Sequence, residues 1–349
     1  MLPAGNFLLV PAPGLQEAKL YTLSDAASHY RNSSFVVIPY SEPRLKKPVP
    51  QFYSVLSTEK ITDLPGQGEV PPSLITAQNT REKYISTVKQ LKQQIQAGNI
   101  YEINYCALFS AQIKIDPLSV FLNLCRHSNA PFQFLARLGN DYILCGSPEL
   151  FLKKKGNILS TKPIKGTIGR GKDEEEDQFL KKTLQNSLKD RTENVMAVDV
   201  ARNDLSRLAT RASVRVNQLY NIESYKTVHQ MVSTVSCELK PAITFAEIIE
   251  ATFPMASMTG APKHRAMQLI GEHETFDRGY YSGTMGLIDE RGDFELPVVI
   301  RSIFYNAEQK KVWFATGGAI TYLSEPEKEY EECLLKTRSM LAALNAELR

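Results

Sequence analysis

The stretch GSPELFLKKKGNILSTKPIKGT, residues 146–167, constrains this chain more than any other. Residues 150–153 and 158–162 are short runs with β-branched or apolar side chains, and Gly156-Asn157 between them is a turn signal. The segment therefore reads as a β-hairpin. Glu149 and Lys165 each stand eight residues from Asn157. A hairpin without a bulge sets them opposite each other at its open end. Gly166, next to the lysine, lets a ligand approach the backbone closely. A carboxyl facing an amine beside a glycine is an acid and a nucleophile. The alternative is a cross-strand ion pair on a solvated edge, which is common and worth little energy.

The rest of the chain narrows the classes. With 349 residues it is long enough for one large domain or two ordinary ones. A net charge of +3, with Lys and Arg spread along the chain, points to neither a nucleic-acid nor a membrane partner. No run of eighteen apolar residues spans a membrane, and MLPAGNFLLVPAPGLQ lacks the basic start of a signal peptide. The five cysteines, Cys106, Cys125, Cys145, Cys237 and Cys333, are odd in number and form no CxxC. Neither a disulfide framework nor a zinc site is expected, and a cytoplasmic setting fits.

Residues 1–75 mix short strand-like runs with Pro-rich breaks and end in the linker-like LPGQGEVPP. They read as a short N-terminal segment packing on a core of residues 76–349. TREKYISTVKQLKQQIQA has apolar residues at Tyr84, Val88, Leu91 and Ile95 and predicts an amphipathic helix closed by Gly98. GRGKDEEEDQ reads as an exposed loop, residues 179–204 as largely helical, and ELPVVIRSIFYN as one strand. Helices interleave with antiparallel strand groups, so the fold class is α+β.

Asp190 with Glu193, and Glu329 with Glu332, are acids spaced i, i+3 on two helices, each pair on one helix face. Hard oxygens from facing helices suit Mg²⁺, although such pairs also occur on ordinary solvated faces. His229 lies in an alternating strand, where a histidine is most simply a satisfied core residue. Arg301, inside PVVIRSIF, needs a partner such as a carboxylate. Gly317-Gly318 interrupts a strand, as at a bulge or a close backbone approach. No nucleotide-binding fingerprint is present.

In order, GSPE, PIKGT, DRTENVMAVDVARNDLSR, FPMASMTGAPKHRAM, GYYSG, VVIRS, TGGAI and EYEECLLK follow one another along the chain. This set resembles the chorismate-using enzymes, which include anthranilate synthase large subunits, aminodeoxychorismate synthase component I, and isochorismate and salicylate synthases. The likeness covers roughly residues 80–345. It implies two stacked antiparallel-rich sheets flanked by helices, with the active site between them. It implies Mg²⁺ as cofactor, bound directly by Glu193 and Glu332 and through water by Asp190 and Glu329. Tyr281, Arg301, Gly166, Thr167, Gly317, Gly318 and Ala319 correspond to contacts with chorismate. Glu149 resembles the family's general acid for the departing C4 hydroxyl, and His229 matches a family histidine near the ring, so the resemblance implies His229 as a catalytic residue beside Glu149 and Lys165.

Residue 165 selects the branch. Lysine in the PIxGT position resembles the aminodeoxychorismate enzymes, which use it as a nucleophile at C2 before ammonia displaces it. That role needs a neutral amine, so a lowered Lys165 pKa is expected, with Glu149 kept protonated. Glu102 stands where aminating members usually have glutamine, and Ala319 replaces a common glycine. No tryptophan-feedback motif is found. No cysteine has the setting of a glutaminase nucleophile, so a separate glutaminase (glutamine amidotransferase) subunit is the expected partner. Two other readings are an anthranilate synthase large subunit and a catalytically silent chorismate-binding subunit.

Overall fold

Alternating burial along the strands decides how the chain is layered. The computed structural model describes residues 2–30, 33–40, 49–62, 64, 68–226 and 228–349. The N-terminal stretch gives β1 (Phe7–Pro11), β2 (Ala18–Ala27), β3 (Ser34–Ile38), β4 (Gln51–Ile61) and β5 (Ser73–Ala77). Next come α1 (Arg81–Gln96), β6 (Glu102–Gln112), α2 (Pro117–Ser128), β7 (Phe132–Leu138) and β8 (Asp141–Ser147). The hairpin is β9 (Leu150–Lys155) and β10 (Ile158–Lys162), continued by β11 (Ile164–Gly169). Two helices, α3 (Glu174–Asn186) and α4 (Leu188–Ser206), lead to β12 (Arg215–Ser224) and β13 (Val228–Glu238). Then follow α5 (Phe245–Thr252), β14 (Gly260–Ala261), α6 (Lys263–His273), β15 (Thr284–Ile288) and β16 (Phe294–Pro297). The chain closes with β17 (Ile303–Asn306), β18 (Lys311–Ile320), α7 (Pro326–Leu335), α8 (Arg338–Ala343) and β19 (Ala346–Leu348).

One half of the ladder runs β5-β6-β18-β17-β8-β7-β1. The other runs β3-β15-β16-β9-β10-β13-β12, with β11 also on β13. Strands β2 and β4 join the halves, and β14 adds to β6. Successive strand residues face opposite ways. Leu8, Phe134, Ala136, Ile143 and Phe304 enter the core shared with the second half, whereas Phe7, Leu9, Leu135, Leu144 and Ile303 face α1, α2, α6, α7 and α8. Phe35 of β3 meets Phe134 of β7 edge-on at 6.1 Å, although the pairings through β1, β2 and β4 separate them along the ladder. The two antiparallel-rich layers flanked by helices are therefore as expected, and one ladder threads both.

Local chemistry explains most boundaries. Thr80 caps α1 by accepting from the Lys83 N–H, and Gly98 follows its end at φ 77°. The acidic run is not a loop. Asp173 caps α3, and Glu174–Asp177 form its first turn, where carboxylates suit the positive end of the helix. The long helical stretch breaks at Ser187, whose hydroxyl accepts from the Asp190 N–H and starts α4. The predicted single strand at 295–306 is two, because β16 pairs with β9 and β17 with β8. Residues 65–67 of the linker-like segment lie outside the described residues. No described helix is long and apolar enough to cross a membrane.

Phe314 is fully buried and stacks on Phe109 at 5.4 Å. Phe314→Ala is expected to cost about 3–5 kcal/mol through lost burial and the cavity left behind. The urea midpoint at unchanged m-value measures it.

Candidate active site

The hairpin departs from its simplest form at the point that matters. Ser160 faces Lys153, but a register shift follows, so that Lys162 faces Leu150. Pro163, which has no N–H to donate, comes next, and β11 then takes β13 as its partner. Glu149 and Lys165 are consequently not cross-strand partners. The direct partner of Lys165 is Glu102, at the start of β6 in the other half of the sheet. Both side chains are buried, at 7% and 3% exposure. This contact joins the two halves.

Glu149 remains within electrostatic reach of Lys165. Burial pushes its carboxyl up to about 7, although the neighbouring Ser257 hydroxyl, Lys165 and the Ile164 backbone pull it back. It is thus poised to hold a proton near neutrality, as an acid must. Lys165 behaves against expectation. Burial alone pushes its pKa down, but Glu102, Glu193 and Glu149 outweigh that and leave it raised. The surrounding charges are acids, not the cations that would free the amine.

The four expected metal ligands gather beside this pair. Asp190 packs on Gly166, where a Cβ would lie 2.8 Å from its carboxyl at φ +85°. Lys189 Nζ lies 3.1 Å from Glu329 Oε1, and 3.9 Å from both Glu193 Oε1 and Glu332 Oε2. Lys336 pairs with Glu332 at 2.7 Å and donates to the Gly317 carbonyl at 2.7 Å. Burial raises Glu193 to about 7, whereas Lys336 and Lys189 outweigh burial and lower Glu332. Among the described residues these acids do not converge into a metal cage, and the Lys189 ammonium lies among three of them. Yet Glu193 Oε1 and Glu329 Oε2 are buried without a hydrogen-bond partner. Hard, unsatisfied oxygens fit a small divalent cation.

Thr167 and Arg301 line a cleft of about 380 Å³, with Gln230, Arg338 and Gly146. Arg301 sits at the break between β16 and β17, at φ 51°. Among the described residues no carboxylate bonds it. Its guanidinium donates to the Lys336 carbonyl at 3.4 Å, and burial lowers its pKa. A desolvated cation beside a cleft suits an anionic ligand. Tyr281 is buried, with its hydroxyl 3.4 Å from Cys106 Sγ. Gly317 belongs to an unbroken register with β6, where a Cβ would meet the Tyr105 carbonyl at 2.2 Å, so close approach explains that glycine. Gly318 lies against Glu329, and Ala319 pairs with Asn104. His229 turns elsewhere: its Nδ1 is 2.8 Å from Ser224 Oγ and its Nε2 3.0 Å from Asp177 Oδ1. Sequence reasoning missed Lys189 and Lys336, although each stands four residues from an acid of the cluster on the same helical run.

A two-layer α+β fold with an acid-lined crevice, a buried lysine and a cationic cleft defines a class. The chain belongs to the chorismate binding enzyme family, whose model matches residues 16–342. It is 43% identical to an aminodeoxychorismate synthase, chloroplastic, of Arabidopsis thaliana over 74% of this chain, and spans 28% of that protein. It is 33% identical to aminodeoxychorismate synthase component 1 of Bacillus subtilis, over 97% of this chain and 73% of that one. Anthranilate synthase component I of Streptococcus pneumoniae shares the fold, at TM-score 0.77 and 22% identity, covering 97% and 93% of the two chains.

The raised Glu149 pKa has a consequence for stability. The contribution of this group is fully present below its usual 4.5 and lost as pH rises through about 7. Glu149→Gln cannot ionise, so its stability relative to the wild-type chain should climb over that window. At about 1.4 kcal/mol per pKa unit the gain is of order 3 kcal/mol. Denaturant titrations of both chains at pH 4 and pH 8 check the sign.

Proposed function

We propose that this chain aminates chorismate at C4, giving 4-amino-4-deoxychorismate, with Lys165 as nucleophile and a glutaminase subunit supplying ammonia. The observation that carries the reading is the buried Lys165 amine within reach of a Glu149 carboxyl that holds its proton up to about pH 7. The similarity to proteins named aminodeoxychorismate synthase supports it.

The Lys165 amine attacks C2 of the ring, the double bond shifts, and the C4 hydroxyl leaves as water with the Glu149 proton. Ammonia then adds at C4 and breaks the C2–nitrogen bond, releasing Lys165. Arg301 and Thr167 are suited to hold the enolpyruvyl carboxylate in the cleft. Asp190, Glu193, Glu329 and Glu332 are the residues that would hold Mg²⁺, which when bound offers a positive centre to the ring carboxylate. The His229 side chain, bonded to Asp177 and Ser224, ties β13 to α3 and to the end of β12. The case for a separate glutaminase rests on the cysteines. All five are buried, and burial pushes Cys106 up to about 12 and Cys145 and Cys237 to about 11, opposite to an activated thiolate.

Purified chain given chorismate, Mg²⁺ and ammonium should yield 4-amino-4-deoxychorismate by mass analysis, and none with glutamine alone. Lys165→Ala is expected to lower that rate by at least about a hundredfold. Fluorescent anthranilate as product, or an undiminished Lys165→Ala rate, overturns the reading.

A further inference from the structure

A lysine attacks carbon only as the free amine, and Lys165 is set in a resting ion pair. Something must take its proton. Among the described residues, Glu102 is the group hydrogen-bonded to the Lys165 ammonium. The contact is buried on both sides, so water has little access to it. Glu102 is also rigidly held. Its backbone pairs with Ala261 of β14, and Gly260 presses so close that a Cβ there would lie 2.2 Å from the Glu102 carbonyl. Other acids face the amine: Glu149 from the β8–β9 connection, Glu193 from α4 and Glu332 from α7. Glu149 is given to the leaving hydroxyl in the reading above, and unlike Glu102 it has no hydrogen bond to the Lys165 ammonium among those seen in the described residues. Asp190 lies one residue along, against Gly166.

We propose that Glu102 is the proton acceptor for Lys165, loading the amine before attack and returning the proton when the lysine is released. The proposal rests on the amination reading above. In the first step one N–H bond of the Lys165 ammonium breaks and an O–H bond forms on Glu102, leaving a neutral amine beside a neutral acid. The amine lone pair then forms the bond to C2, the ring electrons shift, and the C4–O bond breaks to release water with the Glu149 proton. The adduct nitrogen carries the positive charge. When ammonia adds at C4, the C2–N bond breaks with its electron pair returning to nitrogen, Glu102 gives its proton back to Lys165, and the new C4 ammonium passes one proton to the Glu149 carboxylate. A substrate seated over the buried pair completes its desolvation and so favours the first step, because a desolvated pair is more stable neutral than as separated charges.

The test compares wild-type chain, Glu102→Gln, Glu102→Asp and Lys165→Ala with chorismate and Mg²⁺. Total ammonium is adjusted so that free ammonia stays constant from pH 6.5 to 9.5. Glu102→Gln should lower kcat about a hundredfold near pH 7, the scale of a lost general base. The loss should shrink about tenfold per pH unit, as hydroxide takes over the proton, and Glu102→Asp should recover most of the rate. A uniform loss at every pH, no loss, or a gain overturns the proposal, the gain because Glu102 would then restrain the amine. Lys165→Ala separates the two ideas. If it is as active as wild type, both the lysine reading and the role of Glu102 fall. If it is inactive while Glu102→Gln shows a pH-independent loss, the role of Glu102 alone falls. Melting curves of Glu102→Gln and Glu102→Asp confirm that each rate belongs to folded protein.

Discussion

Five carboxylates, Glu102, Glu149, Glu193, Glu329 and Glu332, are drawn toward one crevice, and balancing their charge is the constraint on which the site depends. Like charges in a poorly hydrated space repel strongly, and a buried ion stripped of its partner costs about 3–5 kcal/mol. Three lysines from three elements answer this. Lys165 comes from β11, Lys189 from α4 and Lys336 from the end of α7. The balance is uneven by position. Glu332, paired with Lys336, titrates low, while Glu149 and Glu193 are pushed by burial to about 7. Residues of one chemical type are thereby sorted into proton holders and anions without any change of side chain.

Behind the crevice a second buried pair sets the backbone. Arg278 and Glu274 are each 1% exposed and 2.6 Å apart. Arg278 also donates to the carbonyls of Met258 and Asn104 and lies over the Tyr40 ring at 4.7 Å. Glu274 accepts from the Cys106 N–H. The guanidinium nitrogens of Arg278 all donate hydrogen bonds, which is the condition under which a buried pair specifies an arrangement instead of loosening it. Strand β6, carrying Glu102, Asn104 and Cys106, is held by this pair from one side and by β18 from the other.

Much of the fold was legible because local signals agree with it. Thr80 and Gly98 bound α1, the Gly156-Asn157 turn makes the hairpin, and the i, i+3 acids do lie along α4 and α7. The failures have physical causes. A two-residue turn that sets Lys155 opposite Ile158, a one-residue register shift before Pro163 and the pairing of β11 with β13 are invisible in a run of alternating residues, yet together they take Lys165 off the strand position facing Glu149. The true partner of Lys165 is 63 residues away in sequence, and no periodicity relates strands in opposite layers. Arg301 could not be seen at a break between strands, because VVIRSIF reads as continuous β. The expected fall in the Lys165 pKa failed for a similar reason: its sign depends on which charges the fold brings near, and those were acids from distant elements.

Strands β2 and β4 carry the hydrogen-bonded ladder from β1 across to β3, so the two layers are stitched through the first 61 residues. Glu102 belongs to one layer and Lys165 to the other. The stitch therefore governs more than the rim of the sheet. Without it, β7 and β15 would each present an uncovered row of N–H and C=O groups, the kind of edge along which chains associate. The two layers would also lose the hydrogen-bonded path between them and be joined by chain crossings such as β8 to β9 and β16 to β17, which hold the alignment of acid against amine less firmly. Strands that contribute no side chain to the crevice thus act as its spacer.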